Sequence, residues 1–401
     1  MRRAHNSSSG FTFIELMISA AIGMVLVVSA AKLYTQGLHI AWETSQKAEL
    51  QQDFRAAANL LQHDISLAGA GAMGQQGLSN NTIAMPNGVG STVAVYPCTG
   101  LSTCNYINGA PVSYPSYPAG APPTLYSIIP GPSLGITVTA AQGPTDIITL
   151  NYADANLSLN CYVGTMNATG TQVTFQLPAA WATGCVLPSN EVAPPSLIYS
   201  STANAAGLQV GDMIMFGFNA VGVVSGVAAT CAPSGTNLSC FTVPFASGDP
   251  GHVNQPGVAA GSLLQLASQT NLSAVRLISV TYYLTIPPSS ISAVNPNGIP
   301  TLMRLQSGQQ PAPVAENVLY LKFTYDIIND GVVSTGQPSL PAGTNPTMIT
   351  KVNIAHMSMR SQGRDTQSRS ALSQYGGYEG LDLQTSIAVR NMTMLQEYPI
   401  N

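Results

Sequence analysis

Three patterns of apolar and polar positions follow one another along the chain. From Phe11 to Leu33 the sequence is almost unbroken in apolar character, with a carboxylate, Glu15, near its start. Roughly 20 apolar residues suffice to cross a bilayer as a helix, so residues 11–33 read as a transmembrane helix. Beyond Leu33 the pattern turns amphipathic. Leu50, Phe54, Ala57, Ala58, Leu61, Ile65 and Ala68 recur at spacings of three and four, opposite Gln51, Gln52, Arg55, Asn59 and Gln62. His63 and Asp64 read as polar-face positions of the same helix. No proline occurs between Phe11 and Pro86, so nothing ends the helix at the membrane surface. Residues 34–70 therefore continue it, with Gly69-Ala70-Gly71 as the stop. A helix from Phe11 to Ala68 would be about 87 Å long. Its second half has too few charged pairs to stand alone and is expected to pack on a sheet.

The third pattern has period two. Residues 71–145 are rich in Gly, Pro, Ser, Thr and Tyr and read as an irregular region. Residues 146–401 read as a β-rich soluble domain. Ile147 to Tyr152, Val173 to Leu177 and Met213 to Phe218 are short strand-like runs. Asp212, after Gly211, reads as a turn residue leading into the last of them. Ile278, Val280, Tyr282, Leu284 and Ile286 alternate with their neighbours, as do Leu319, Leu321, Phe323, Tyr325 and Ile327 opposite Lys322, Thr324 and Asp326. Such alternation predicts one face on the core and one toward water. Asn329-Asp330-Gly331 then supplies a hairpin turn. Further strands are expected at Ile349 to Arg360 and Leu381 to Asn391, separated by a polar loop from Ser361 to Glu379. The fold class is α+β: a long N-terminal helix, first transmembrane and then amphipathic, packed on a C-terminal antiparallel sheet domain.

Charge changes the functional picture. Only 7% of the 401 residues are charged, and no Lys or Arg lies between Arg55 and Arg276. Neutralising phosphates needs clustered basic residues, so no nucleic-acid partner is expected. The six cysteines fall as Cys98/Cys104, Cys161/Cys185 and Cys231/Cys240, all beyond the apolar run. An even count outside the membrane suits three disulfides, with pairing of neighbours the simplest of 15 connectivities. Zinc is the competing reading, but the spacings lack C-x2-C and His is scarce. Val221 to Phe245, with Cys231 and Cys240, reads as a hairpin closed by a disulfide.

The start of the chain is more specific. A polar leader, residues 1–10, carries Arg2 and Arg3, which favour the cytoplasmic side. It ends in Gly10 and is followed by Phe11-Thr12-Phe13-Ile14-Glu15-Leu16. A secretory signal has a shorter apolar core, and a plain anchor leaves Glu15 unexplained. The arrangement resembles the type III signal of type IV prepilins. That resemblance implies a cut between Gly10 and Phe11 by a prepilin peptidase, methylation of the new amine at Phe11, and a role for Glu15 in subunit assembly. The C-terminal segments around Leu302-Met303-Arg304-Leu305, Val314 to Val318, Leu321 to Asp326 and Val389-Arg390-Asn391 resemble PilW-type minor pilins.

The resemblance implies a minor pilin in a pilus assembly or tip complex, with other major and minor pilins as partners. It would sit in the inner membrane, N-terminus cytoplasmic and soluble domain periplasmic, and reach the surface in the fibre. A minor pseudopilin of a type II secretion system would share the signal and the helix. A membrane-tethered adhesin using residues 71–270 is the alternative of another class, and a tethered hydrolase is remoter. No nucleophile elbow, zinc-protease motif, phosphate loop or dinucleotide fingerprint occurs, so no enzyme, cofactor or metal site is expected.

Overall fold

A computed structural model describes residues 12–70, 82–84, 106–107, 110–111, 124–138, 143–154, 157, 159–179, 197–198, 207–217, 220–247, 253–254, 263–291, 298–307, 309–329, 331–360 and 380–389. The chain divides into two compact units, residues 1–53 with 361–379, and residues 54–360 with 380–401.

One helix, Phe13–Leu67, runs from the first unit into the second. In the apolar run of the first unit the side chains face outward: Ile22, Leu26 and Val27 are 57, 64 and 69% exposed. The apolar residues surround the helix, so no single side of this stretch selects a protein surface. In the second unit the stripe anticipated from spacing is buried, with Ala57, Leu61, Ile65 and Ala68 wholly enclosed. The helix ends because Gly69 adopts φ +78°, a left-handed conformation that glycine enters without strain. The chain then joins a strand directly: Gly69 N–H donates to the Asn151 carbonyl at 2.8 Å, and Ala153 N–H to the Ala70 carbonyl at 2.8 Å.

That strand, Ile147–Ala153, belongs to an antiparallel sheet of seven strands whose centre is Ala274–Thr285. The central strand pairs with Ile147–Ala153 along one edge, and with Thr301–Gln306 and Met213–Phe216 along the other. Its alternation does not leave one face in water. Thr281 and Tyr283 are buried as well as Val280, Tyr282 and Leu284, so the middle of the strand is covered on both faces. Part of this second covering is a cluster of Tyr126, Ile129, Ile147, Tyr283 and Leu305. Ile129 lies in the strand Ile128–Gly131, contributed by the Gly/Pro-rich region that composition presents as irregular.

A second antiparallel sheet has the order Val332–Gln337, Val318–Asn329, Ile349–Arg360, Gly380–Ala388. Its Val318–Asn329 strand does alternate, with Leu321, Phe323, Tyr325 and Ile327 buried and their neighbours half-buried. Gly331, at φ +78°, turns this strand back as the sequence predicts. A third sheet of four strands centres on Gln172–Pro178 and Asn237–Pro244. Phe175 and Phe241 stack there with ring centroids 5.1 Å apart.

A Cys231–Cys240 disulfide, with Cα atoms 5.0 Å apart, closes the third sheet's hairpin, but its first strand is only Ala229–Thr230, because Ala220–Val223 pairs with Met213–Phe216 in the seven-stranded sheet. Cys161 is disulfide-bonded too, and no described cysteine is free. Cys98, Cys104 and Cys185 lie outside the described residues, as do Gly10, Phe11 and residues 361–379, where the sequence predicts a loop.

Candidate functional site

The first candidate site is the start of the helix. Thr12 precedes the first helical residue, and its backbone N–H and hydroxyl both donate to Glu15 Oε2, at 3.2 and 3.1 Å. Glu15 N–H donates back to the Thr12 hydroxyl oxygen at 3.4 Å. This reciprocal pattern is a capping box, Thr-x-x-Glu, in which each side chain serves an otherwise unpaired backbone donor. Glu15 therefore has a local partner that the sequence reading overlooked, although the Thr12-x-x-Glu15 spacing ahead of an apolar run was its signal. One turn on, the Ser19 hydroxyl donates to the Glu15 carbonyl at 2.7 Å, keeping its own polarity inside the helix.

The second candidate is a set of buried ion pairs in the second unit. Asp64 is 1% exposed, which corrects its reading as a polar-face residue. It faces the seven-stranded sheet and collects donors from three adjacent strands. The Tyr282 hydroxyl lies 2.7 Å from Oδ2, Arg304 Nε 2.8 Å from Oδ2, and the Tyr152 hydroxyl 3.3 Å from Oδ1. Burial raises both phenols above their ordinary range, and the Asp64 charge adds to this. Burial works to lower the Arg304 pKa, but the bond to Asp64 and its charge outweigh it and raise the guanidinium overall. His63, its side chain 66% exposed, stands at the rim with Nδ1 3.4 Å from Asp64. Beside the cluster lies a cavity of about 790 Å³, with apolar walls including Leu60, Leu67, Leu157 and Val275.

The next two pairs repeat the design. Arg276 Nε bonds Asp154 at 2.9 Å and its Nη1 reaches Asp212 at 3.3 Å. Asp212 does make the turn, accepting from Gln209 N–H at 3.0 Å, but it is buried as well. Burial pushes its carboxyl up to about 6 against the pull of Arg276. Lys322 Nζ meets Asp146 at 2.6 Å, and Asp146 also accepts from Phe323 N–H at 2.9 Å. This pair ties the residue ahead of Ile147–Ala153 to the second sheet. Arg276, Arg304 and Lys322 are the first three basic residues after Arg55, and each neutralises a buried aspartate. These groups are paired with one another, an arrangement that ties elements together and leaves no activated nucleophile among them. Among the described residues no group of three or more His, Cys, Asp or Glu could hold a metal ion.

Of the residues marked by sequence, only Glu15, Cys161, Cys231 and Cys240 fall among the described ones, and they lie in separate places. Comparison with known families bears on the first candidate. Residues 5–31 match the prokaryotic N-terminal methylation motif. The chain carries a type IV pilin-like prepilin signal. The match spans the end of the leader, the capping box and most of the apolar run. Such a signal implies processing by the prepilin peptidase and assembly with other pilins. The helix that follows is long and apolar enough to cross a membrane. No curated protein and no solved structure matches the chain. The prepilin signal and the α+β architecture are those of a type IV pilin-like or pseudopilin-like protein.

Proposed function

We propose that this protein is a minor pilin that takes part in assembly of a type IV pilus or in its tip complex, as a structural subunit and not as an enzyme. The observation that carries the reading is the methylation motif at the head of a helix whose apolar side chains are exposed. A helix of that kind has two uses in sequence: as a membrane anchor before assembly and as a packing element among similar helices afterwards. The peptidase cuts between Gly10 and Phe11, and the amine of Phe11 is methylated. The N-terminus is cytoplasmic and the β-rich domain lies on the opposite side of the inner membrane, where disulfides form. The likeness of the C-terminal strands to PilW-type minor pilins supports a pilus over a secretion pseudopilus.

Glu15 supplies the charge for alignment. Processing creates a positive amine four residues away, and a carboxylate at this depth can pair with it or with that of a neighbouring subunit. Among the packed helices of a fibre, a low-dielectric setting, opposite charges attract far more strongly than in water, although desolvation offsets much of the gain. The capping box sharpens the test. Glu15→Ala removes both charge and cap, whereas Glu15→Gln retains the box, since Gln also serves at that position. Mass spectrometry of envelope-derived protein should find mature chains beginning at methylated Phe11 in wild type and in Glu15→Gln. The Gln variant should nevertheless fail to enter fibres. Normal assembly of processed Glu15→Gln would rule out the charge-pairing role, and an intact Met1 would rule out the prepilin reading.

A further inference from the structure

Beyond the apolar run the helix carries a second apolar face that the prepilin signal does not explain. Tyr34, Leu38 and Trp42 recur at every fourth position and are 70, 52 and 74% exposed. Lys32, Gln36 and Lys47 lie on the other side of the helix. The face is continuous with the membrane-spanning run, and its aromatic residues are the two types enriched at membrane–water interfaces.

We infer that Tyr34, Leu38 and Trp42 form a contact surface for the phospholipid interface distal to the leader, and that they set the depth of the helix in the bilayer. Tyr34 and Trp42 are eight residues apart, about 12 Å along the axis, and so bracket a hydrocarbon boundary near Leu38. A hydrocarbon core of about 30 Å takes roughly 20 residues, which puts the opposite boundary near Ile18. Glu15 then sits about 4.5 Å outside the hydrocarbon, in the headgroup layer, where a carboxylate costs less than at the bilayer centre. Glu15 to Trp42 covers 27 residues, about 40 Å, which matches a whole bilayer with its headgroups. Lys32 then lies about 9 Å inside the distal boundary, and extending its stem shortens the distance between its charge and the headgroups. The other register, with the hydrocarbon ending at Leu33, leaves Trp42 about 13 Å above it in water and immerses Glu15.

The inference rests on the helix spanning a membrane, and one experiment separates the two. The chain has two tryptophans, Trp42 and Trp181. The full chain with Trp181→Phe is reconstituted into phosphatidylethanolamine–phosphatidylglycerol vesicles, and Trp42 emission is read with lipids brominated near the carbonyl or near the terminal methyl. Bromines near the carbonyl should quench about twofold more strongly. Moving the probe with Tyr34→Trp, in a chain carrying Trp42→Phe and Trp181→Phe, should shift quenching toward the deeper bromines. The unaltered chain, corrected with the emission of Trp42→Phe, gives the same readout if Trp181→Phe misfolds. Water-like, unquenched Trp42 in protein that floats with vesicles overturns the inference, and so does stronger quenching by the deep bromines. Blue-shifted emission that neither lipid quenches and that dilution abolishes assigns the face to a neighbouring helix, and also overturns it. Protein that does not float at all defeats the membrane-spanning reading itself.

Discussion

The two ends of one helix use hydrophobic residues in opposite ways. Around Ile22 and Leu26 the apolar side chains point outward on every side, more than half exposed, while Leu61 and Ile65 are wholly enclosed. Composition does not separate them, since both stretches are rich in Leu, Ile and Ala. Arrangement does. A run that encircles the helix fits a medium without direction, such as lipid, whereas a stripe backed by Arg55, Asn59 and Gln62 fits one surface. The second stretch also has a device the first lacks, a buried carboxylate that three strands satisfy at once.

That device should give the largest response to mutation. Asp64→Ala leaves Arg304 without its carboxylate and two tyrosine hydroxyls without an acceptor, and removing one partner of a buried pair costs about 3–5 kcal/mol. Chemical denaturation of the detergent-solubilised protein should show a loss of that size, and a loss under about 1 kcal/mol would mean that the cluster does not fasten helix to sheet.

Next comes the direct contrast within the helix. Leu61→Ala should destabilise the β-rich unit by about 2–5 kcal/mol through lost burial and the cavity left behind. Leu26→Ala should leave that unit's stability unchanged. Equal effects of the two substitutions, measured by hydrogen exchange in the sheet strands, would erase the distinction drawn between the stretches.

The smallest effect depends on pH. The Asp212 carboxyl, raised from 3.8 to about 6, takes up its proton more readily in the folded protein than in the unfolded chain. Its contribution to stability is therefore full below pH 3.8 and is lost as pH rises through about 6. The slope in this window is at most about 1.4 kcal/mol per pH unit. Asp212→Asn should flatten the stability profile between those limits, and an unchanged profile would show that Arg276 offsets the burial.

The sequence was most legible where one physical demand dominates a stretch. The apolar run, the buried stripe from Phe54 to Ala68 and the alternation from Leu319 to Ile327 each declare a surface by period alone. The Cys231–Cys240 closure was legible from its two cysteines, but the apolar run before it was not, because Val221 to Val223 pairs with Met213–Phe216 in another sheet. Local spacing misled where distant partners decide. Asp64 sits next to His63 on what looks like a polar face, and its burial depends on Tyr152, Tyr282 and Arg304, up to 240 residues away. Likewise Lys322 follows the outward side of an alternating strand, yet it turns to Asp146 and is only 24% exposed. Thr281 reads as outward-facing too, but it shares a hydrogen bond with Thr149 at 2.8 Å inside the sheet. The Gly/Pro-rich region concealed a strand because Pro130 is tolerated at a sheet edge.

The scarcity of basic residues also has a consequence for resistance to proteolysis. Proteases of the trypsin type cut after Lys or Arg, and between the exposed Arg55 and Lys351 this chain offers them only Arg276, Arg304 and Lys322. Each of those three lies within a β-strand with its charge bound to a buried aspartate, so an enzyme that needs an extended, accessible basic residue finds none until the fold opens. The ion pairs that fasten the sheets thus also hide the cleavage sites, and the long central part of the protein is silent to that class of protease while it stays folded.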